Sequence, residues 1–434
     1  MTTPLLRPLL ALTLLFAATI PVQADSGPAP SAYDPTERKA LLIGVDGMQY
    51  ERLLDAIDAG MAPNIGSLPL LAKSYVGGIN GTHTATTSGS GPGWATMLTG
   101  TWTDRHGVPN NNDNWRSLVD SVFKQIKRAD PGRRTVSIVS WGTINQNFGN
   151  DVAEGYLDLA HSCNGNDQCV IDRVSQEIEN GDPDFVFAHT NDPDVTGHGH
   201  GIASTQYLEK IRSVDNQVGQ ILAALRRRQQ QHPNEDWLVI VAPDHGFKLN
   251  RVGYHGCRTV NEKTTFIAIN KPANAQLTRA IPASTLRLPF EPIPEHCQLD
   301  ADDLDPIDLQ NLYGHASQAD ITPTILRHLG VPVDITRHQM AGIPLIGTLG
   351  VRQLAYVLDP GDGSVTLDWR LTGPEAATQF VRVFRNGVPI AALTGTEHYI
   401  DRDPPAGTDN LNYTVVTQNT AASVLALRDG SGLP

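Results

Sequence analysis

Residues 39–47 read Lys-Ala-Leu-Leu-Ile-Gly-Val-Asp-Gly. From Ala40 to Val45 every residue is apolar or glycine, with no polar alternation. A strand with one wet face alternates, so an unbroken apolar run predicts a strand buried on both faces. The run ends on Asp46 and Gly47, a carboxylate followed by a residue that turns easily. Val136–Ser140, Phe185–Ala188, Leu238–Ala242 and Thr265–Ile269 have the same character. Helical candidates lie between them. The clearest is Tyr207–Arg228, which sets Leu208, Ile211, Val214, Val218, Ile221, Leu222 and Leu225 on one face. This alternation predicts an α/β fold with a mainly parallel sheet flanked by helices. Such sheets bind ligands beyond the carboxyl ends of their strands. Asp46, Asp194, Asp244 and His245 all follow apolar runs, so the pattern predicts their side chains gathered at one sheet edge.

The regions outside that pattern are of other kinds. Arg7 precedes the apolar stretch Pro8–Ile20, and Val22-Gln23-Ala24 is a small-residue cleavage site. Residues 1–24 are therefore expected to be a secretory signal peptide, and the protein to be secreted or periplasmic. Residues 25–36 have the composition of a linker, and residues 37–349 carry the α/β pattern. After about Thr348 the chain changes to short strand candidates, Val365–Trp369, Gln379–Phe384 and Tyr413–Thr417, separated by Gly, Pro, Asn and Asp clusters. That predicts a small β-sandwich over 351–434. It carries no evident catalytic cluster, which suits a spacer or a weak surface- or polysaccharide-binding module.

The net charge of −13 opposes non-specific nucleic-acid binding, which needs basic surface. It permits a small anionic substrate where metal ions supply local positive charge. No segment after residue 24 has the length of uninterrupted apolar sequence that a membrane span needs. Export permits disulfides, and the four cysteines allow three connectivities. Cys163–Cys169 with Cys257–Cys297 is favoured, because the short loop closes most easily.

The chemistry sits in four segments: IGVDG (43–47), GSGPGWATMLTG (89–100), DPDVTGHGHG (192–201) and VAPDHG (241–246). Two divalent metals need carboxylates and imidazoles converging on one point, with a nucleophile. Ser90 opens a helix candidate that Gly100 closes, so it is either an N-cap or a nucleophile. Asp194 and His198, four residues apart, can chelate one ion from a helical turn or a tight loop; Asp192 and His200 are their competitors. Asp244 and His245 end the most apolar strand candidate. Trp94, inside the helix candidate, reads as core.

These segments resemble the alkaline phosphatase superfamily, and within it the type I phosphodiesterase and nucleotide pyrophosphatase branch. The resemblance covers roughly residues 38–347. It implies an alkaline phosphatase-like fold and a first metal on Asp46, Ser90, Asp244 and His245. It implies a second metal on Asp194, His198 and a later His, best matched by His255, with His315 as runner-up. It also implies that Asn111, with Asn110 as fallback, contacts a phosphoryl oxygen. The expected cofactor is a pair of zinc ions. The expected activity is phosphoric-ester hydrolysis through a phosphoserine on Ser90, with diesters preferred.

The sequence departs from the branch in two places. Ser90-Gly91-Pro92-Gly93 stands where the branch usually has Thr-Phe-Pro-Asn, which removes an aromatic platform for a nucleotide base. Trp94 stands where a formylglycine sulfatase needs Arg. The alternatives are a phosphomonoesterase, a sulfatase or phosphonate hydrolase, a metal-dependent transferase or mutase, and a non-catalytic binding protein. Arg105 is read as a solvated surface charge or as an extra positive group for a monoester. The 351–434 segment resembles a fibronectin type III domain through VTLDWRL, FVRVFRNGVPIAAL and NLNYTVVTQN.

Overall fold

The computed structural model describes residues 37–248, 254–281, 309, 311–372, 376–406, 410–418 and 420–427. The expected signal peptide and linker, and Cys297, lie outside them. Eight strands form one sheet: β1 (Glu37–Val45), β2 (Leu70–Tyr75), β3 (Thr135–Val139), β4 (Leu159–Ser162), β5 (Phe185–Thr190), β6 (Glu235–Ala242), β7 (Thr264–Ile269) and β8 (Ala316–Ser317). Their order is β4-β3-β5-β1-β6-β7-β2-β8. The first strand is thus central, flanked in parallel by β5 and β6. Its alternate residues enter opposite cores, Leu41, Ile43 and Val45 on one face and Ala40 and Leu42 on the other. That double burial is why the segment is apolar throughout.

The sheet is mainly parallel, as expected, except that β7 runs antiparallel to both β6 and β2. Parallel pairing would need a long crossover on one face of the sheet. The segment between β6 and β7 carries Asp244, His245 and His255, and β7 pairs with β6 in the opposite sense. Strands β2, β4 and β8 had no apolar-run signal. They lie toward the sheet margins, and the side chains of β4 are half-buried throughout.

The long helix spans Thr205–Gln231 and is capped by Ser204, whose side chain accepts from the Tyr207 N–H. Tyr207, Ile211, Val214, Val218 and Ile221 are fully buried. Each such side chain contributes about 1.5–3 kcal/mol through removal from water. A charge at Val214 would therefore unseat this helix from the sheet.

Two antiparallel sheets follow, of order β13-β10-β9 and β12-β11-β14-β15. They comprise β9 (Val351–Leu358), β10 (Val365–Leu371), β11 (Phe380–Arg385), β12 (Val388–Thr394), β13 (His398–Asp401), β14 (Asn410–Thr417) and β15 (Thr420–Leu427). Both contribute to one core, with Leu367 and Trp369 from one sheet and Val383, Tyr413 and Val415 from the other. Ile343 of the preceding segment belongs to that core, and Arg352 is buried with its Nε donating to Gln276. The two parts are therefore packed together rather than joined by a free linker.

Cys163 and Cys169 form a disulfide with Cα atoms 5.9 Å apart. Cys257 is also disulfide-bonded; its expected partner, Cys297, is outside the described residues. No helix among the described residues is long and apolar enough to cross a membrane.

Candidate metal centre

Three strand ends and one helix start build the centre. Asp46 leaves β1 and Gly47 makes the turn at φ +63°, where an added Cβ would stand 2.8 Å from Asp194 Cβ. The helix Tyr50–Asp58 is capped by Gln49 and not by Asp46, which leaves the carboxylate for the site. Tyr207 holds this turn, donating to the Gly47 carbonyl at 2.6 Å and accepting from the Gln49 N–H at 2.9 Å. Asp194 opens the helix Asp194–His200, so Asp194 and His198 lie one helical turn apart. Asp244 and His245 follow β6 directly.

Two sets of ligand atoms result. Asp46, Asp244 and His245 place ligand atoms within 4.8 Å of one another, and so do Asp194, His198 and His255. In the first set His245 Nε2 lies 3.4 Å from Asp46 Oδ1 and 3.6 Å from Asp244 Oδ2. In the second His198 Nε2 lies 3.4 Å from Asp194 Oδ2 and 3.0 Å from His255 Nε2. The sets adjoin, because His245 and His255 stack with ring centroids 3.8 Å apart. Phe247 is fully buried beneath these imidazoles, with edge-on ring contacts to His198, His245 and His255.

The donor set fits divalent cations. Asp46 Oδ1, Asp194 Oδ1 and Asp244 Oδ2 are buried and without a hydrogen-bond partner. Orphaned buried carboxylate oxygens are costly unless a cation meets them. The two buried imidazoles are also in the right tautomer. His245 Nδ1 lies 2.9 Å from the Gly246 carbonyl and His255 Nδ1 lies 2.8 Å from that of Ser88. Each Nδ1 must donate to its carbonyl, which leaves the Nε2 lone pairs for metal. The third cluster, His161 with Cys163 and Cys169, is no metal site, since both sulfurs are in the disulfide.

Ser90 starts the helix Ser90–Thr99, whose N-cap is Gly89. Its hydroxyl makes no capping bond and lies 3.3 Å from His245 Nε2. Gly93 lets this helix approach β6, since a Cβ there would stand 2.6 Å from the Asp244 carbonyl oxygen. The Gly91 N–H donates to Asn111 Oδ1 at 2.8 Å. That bond fixes the Asn111 amide beside Ser90. Asn110 accepts from Asn112 N and Trp115 Nε1.

The type I phosphodiesterase / nucleotide pyrophosphatase family model matches residues 40–264, just over half of the chain. The chain belongs to that family. Ectonucleotide pyrophosphatase/phosphodiesterase family member 7 of Homo sapiens is 25% identical over 261 residues, 54% of this chain and 53% of that protein. Family member 3 of Mus musculus is 24% identical over 281 residues, 56% of this chain and 29% of that protein. The chain thus spans about half the length of the first and under a third of the second. A solved murine ectonucleotide pyrophosphatase/phosphodiesterase 5, inactive and in complex with AMP, has 17% identity and a TM-score of 0.36. It covers 48% of this chain and 57% of that one.

Several candidates of this family member are placed elsewhere. Asp192 turns away to Lys210, at 2.9 Å, and His200 is exposed at its helix end. His315 lines a separate cavity rather than approaching Asp194. Arg105 is not a solvated surface charge: it is buried and donates to Asn412 of β14 at 2.9 Å. Its burial follows from the docked C-terminal sheets, which composition alone does not reveal.

Sequence reasoning missed two supporting groups. His189 Nε2 lies 3.0 Å from Asp46 Oδ2, and Trp94 Nε1 donates to the same oxygen at 3.2 Å. Both are fully buried, so Trp94 is core and also a donor to the site. The available signal is a His directly after the apolar run Phe185–Ala188, at the carboxyl end of a parallel strand.

The centre's charges are balanced for cations. Burial would raise the Asp46 carboxyl, but hydrogen bonds and charge from His189 and His245 hold it below the usual carboxylate range. Burial and then repulsion from Asp46 push Asp244 well up, and Asp194 is raised with burial as the main cause. Burial opposes charge on His245, yet Asp244, Asp46 and Asp194 lift it to about 10. His255 is pushed well below the ordinary imidazole value by burial and by the neighbouring His245.

A pH prediction follows for the metal-free protein. A raised His245 contributes stability that is complete below its ordinary value of 6.5 and lost as pH rises to about 10. Raised Asp194 and Asp244 act in the same sense from lower pH. Depressed Asp46 contributes above the ordinary carboxylate value and loses that contribution only on acidification. The unfolding midpoint of chelated protein should therefore fall between pH 6.5 and 9.5. A cation held by His245 Nε2 would displace its proton, so metal-loaded protein should keep its midpoint and the gap should widen. A midpoint of chelated protein that rises over this window would contradict the charge balance.

The two late histidines also separate by experiment. His255→Ala should lower metal content by about one equivalent. His315→Ala should leave it unchanged. Elemental analysis of both variants decides, and the reverse result would remove His255 from the centre.

Proposed function

We propose that this chain is an exported metal-dependent phosphodiesterase that works through a phosphoserine on Ser90, with two zinc ions as cofactor. The observation that carries it is Ser90 Oγ standing free of any capping role, 3.3 Å from His245, against a set of orphaned carboxylate oxygens. Asp46, Asp244 and His245, with Ser90, would hold one ion, and Asp194, His198 and His255 would hold the other. When bound, the two cations would lower the pKa of the Ser90 hydroxyl and neutralise charge on the phosphoryl oxygens.

The chain's own groups do the rest. Ser90 Oγ attacks phosphorus in line; its bond to phosphorus forms as the bond to the leaving alkoxide or aryloxide breaks. Asn111, locked by Gly91, offers its Nδ2 to an equatorial oxygen. Water then attacks phosphorus; its oxygen bonds as the Ser90–phosphorus bond breaks, one water proton restores the Ser90 hydroxyl, and the phosphoric monoester leaves. His189 and Trp94 fix Asp46 through one oxygen and leave the other for metal.

The diester preference is supported by Arg105. A monoester dianion needs extra positive charge around its third oxygen, and Arg105 is engaged with Asn412 instead. The curated relatives' names, pyrophosphatase/phosphodiesterase, agree in class. Residues 1–24 act as the export signal, and 351–434 as a fibronectin type III-like module on a catalytic domain of residues 37–349.

The test compares a bis-aryl phosphate, an aryl phosphate, an aryl phosphonate and an aryl sulfate at one zinc concentration. The diester should be turned over fastest and the sulfate slowest. A monoester preference would move the protein to the phosphatase side of the superfamily, and a sulfate preference would overturn the reaction class. Transfer to an added alcohol in place of water would make it a transferase.

A further inference from the structure

The second set of ligand atoms is the less firmly built of the two. Asp46, Asp244 and His245 are all buried, whereas His198 is exposed. Asp194 and His198 ride on the helix Asp194–His200, which has seven residues and contains Gly197 and Gly199. A helix that short is marginal on its own in water, and each interior glycine costs about 1 kcal/mol against alanine. The place of His198 relative to Asp194 and His255 is therefore imposed by whatever holds the chain as it enters this helix.

That entry is tied from several directions. The Asp194 N–H donates to the Asp46 carbonyl at 3.0 Å. The Asp192 carboxylate takes Lys210 at 2.9 Å and the Thr196 hydroxyl at 3.2 Å. A further tie comes from a segment that carries no candidate ligand. Asp167 accepts from the Asn191 N–H through Oδ1 at 2.8 Å and from the Asp192 N–H through Oδ2 at 3.1 Å. Both oxygens of one carboxylate thus close on two consecutive N–H groups just before Asp194. Hydrogen bonds to an ionised acceptor are roughly twice as strong as neutral ones.

Asp167 does not serve as the cap of its own helix. It stands in the first turn of the helix Asp167–Asn180, where a carboxylate suits the dipole. The cap of that helix is Asn166, whose side chain accepts from the Cys169 N–H at 3.0 Å. Asp167 also lies between Cys163 and Cys169, so their disulfide closes a short loop around it. Cys163 is tied to the sheet in turn, its N–H donating to the Val139 carbonyl of β3 at 2.8 Å. The carboxylate is in this way anchored to the sheet and to a long helix at once.

We propose that Asp167 is a positioning residue for the second metal, kept in place by the Cys163–Cys169 disulfide. The inference rests on the two-metal reading above. By holding the Asn191 and Asp192 N–H groups, Asp167 sets where the chain enters the helix Asp194–His200, and hence how Asp194 and His198 meet His255. The first set does not depend on it, because Asp46, Asp244 and His245 follow β1 and β6 directly.

The test titrates the chelator-stripped full chain with zinc by calorimetry and by competition with a chromophoric chelator. The parent should take up two equivalents. Asp167→Ala should weaken the second about tenfold or more, the scale of a lost group that orients metal ligands, and leave the first unchanged. Turnover of a bis-aryl phosphate by this variant should be low at limiting zinc and recover at high zinc. Cys163→Ser with Cys169→Ser should weaken the second site in the same direction. The double variant leaves no thiol there to compete for zinc, and it carries the test if Asp167→Ala does not fold. A second site of parental affinity in the folded variant would overturn the proposal, and so would equal loss at both sites, which would make Asp167 a residue of the fold alone. A parent that takes up fewer than two equivalents would overturn the two-metal reading and this proposal with it. The parent is titrated first, so that failure is told apart from a failure confined to Asp167.

Discussion

Ser90→Ala should lower diester turnover by on the order of 10³-fold or more, while leaving thermal stability and metal content near those of the parent. The expectation rests on what the hydroxyl does not do. Gly89 is the N-cap of the Ser90–Thr99 helix, and no side chain caps it, so alanine removes no capping bond. The backbone bond from Gly91 to Asn111 does not involve the Ser90 side chain and should persist. Acid quench of the parent with a slow substrate should trap phosphate on Ser90 and on no other residue. Near-normal turnover in the variant would show that water attacks the ester directly and would end the covalent proposal.

Asp244→Asn should have an effect of similar size by another route. Asp244 is fully buried, its Oδ1 accepts from the Gly47 N–H at 3.1 Å, and its Oδ2 has no partner. Asparagine can keep the Gly47 bond while placing an amide donor where a cation would sit. Turnover should fall roughly 10³-fold, the scale of a lost electrostatic stabiliser in an active site. Metal content should fall with it. The metal-free variant should nevertheless unfold at a higher temperature than metal-free parent at pH 9, because a crowded carboxylate has been removed. Loss of activity together with loss of stability at that pH would mean that Asp244 serves the fold and not the metal.

The amino-acid sequence determined the sheet and the chemistry at its edge. Double burial forces a strand such as Ala40–Val45 to be apolar throughout, and ligands must follow such strands, so Asp46, Asp244 and His245 are legible locally. The Thr205–Gln231 helix is legible for the same reason, since one buried face imposes its spacing. Half-buried strands such as β4 carry no such pattern and were not visible. Spacing favours some candidates over others, but only the tertiary structure shows where each one stands. Asp192 and Asp194 differ by two positions, yet one meets Lys210 and the other enters the cage, because the turn after β5 sends them in different directions. His255, which precedes the apolar strand Thr264–Ile269, reaches Asp194, and His315 lines a separate cavity. Arg105 acquires its partner, Asn412, from a strand about three hundred residues further along the chain. Periodicity records which face of an element is buried. It does not record what is packed against that face.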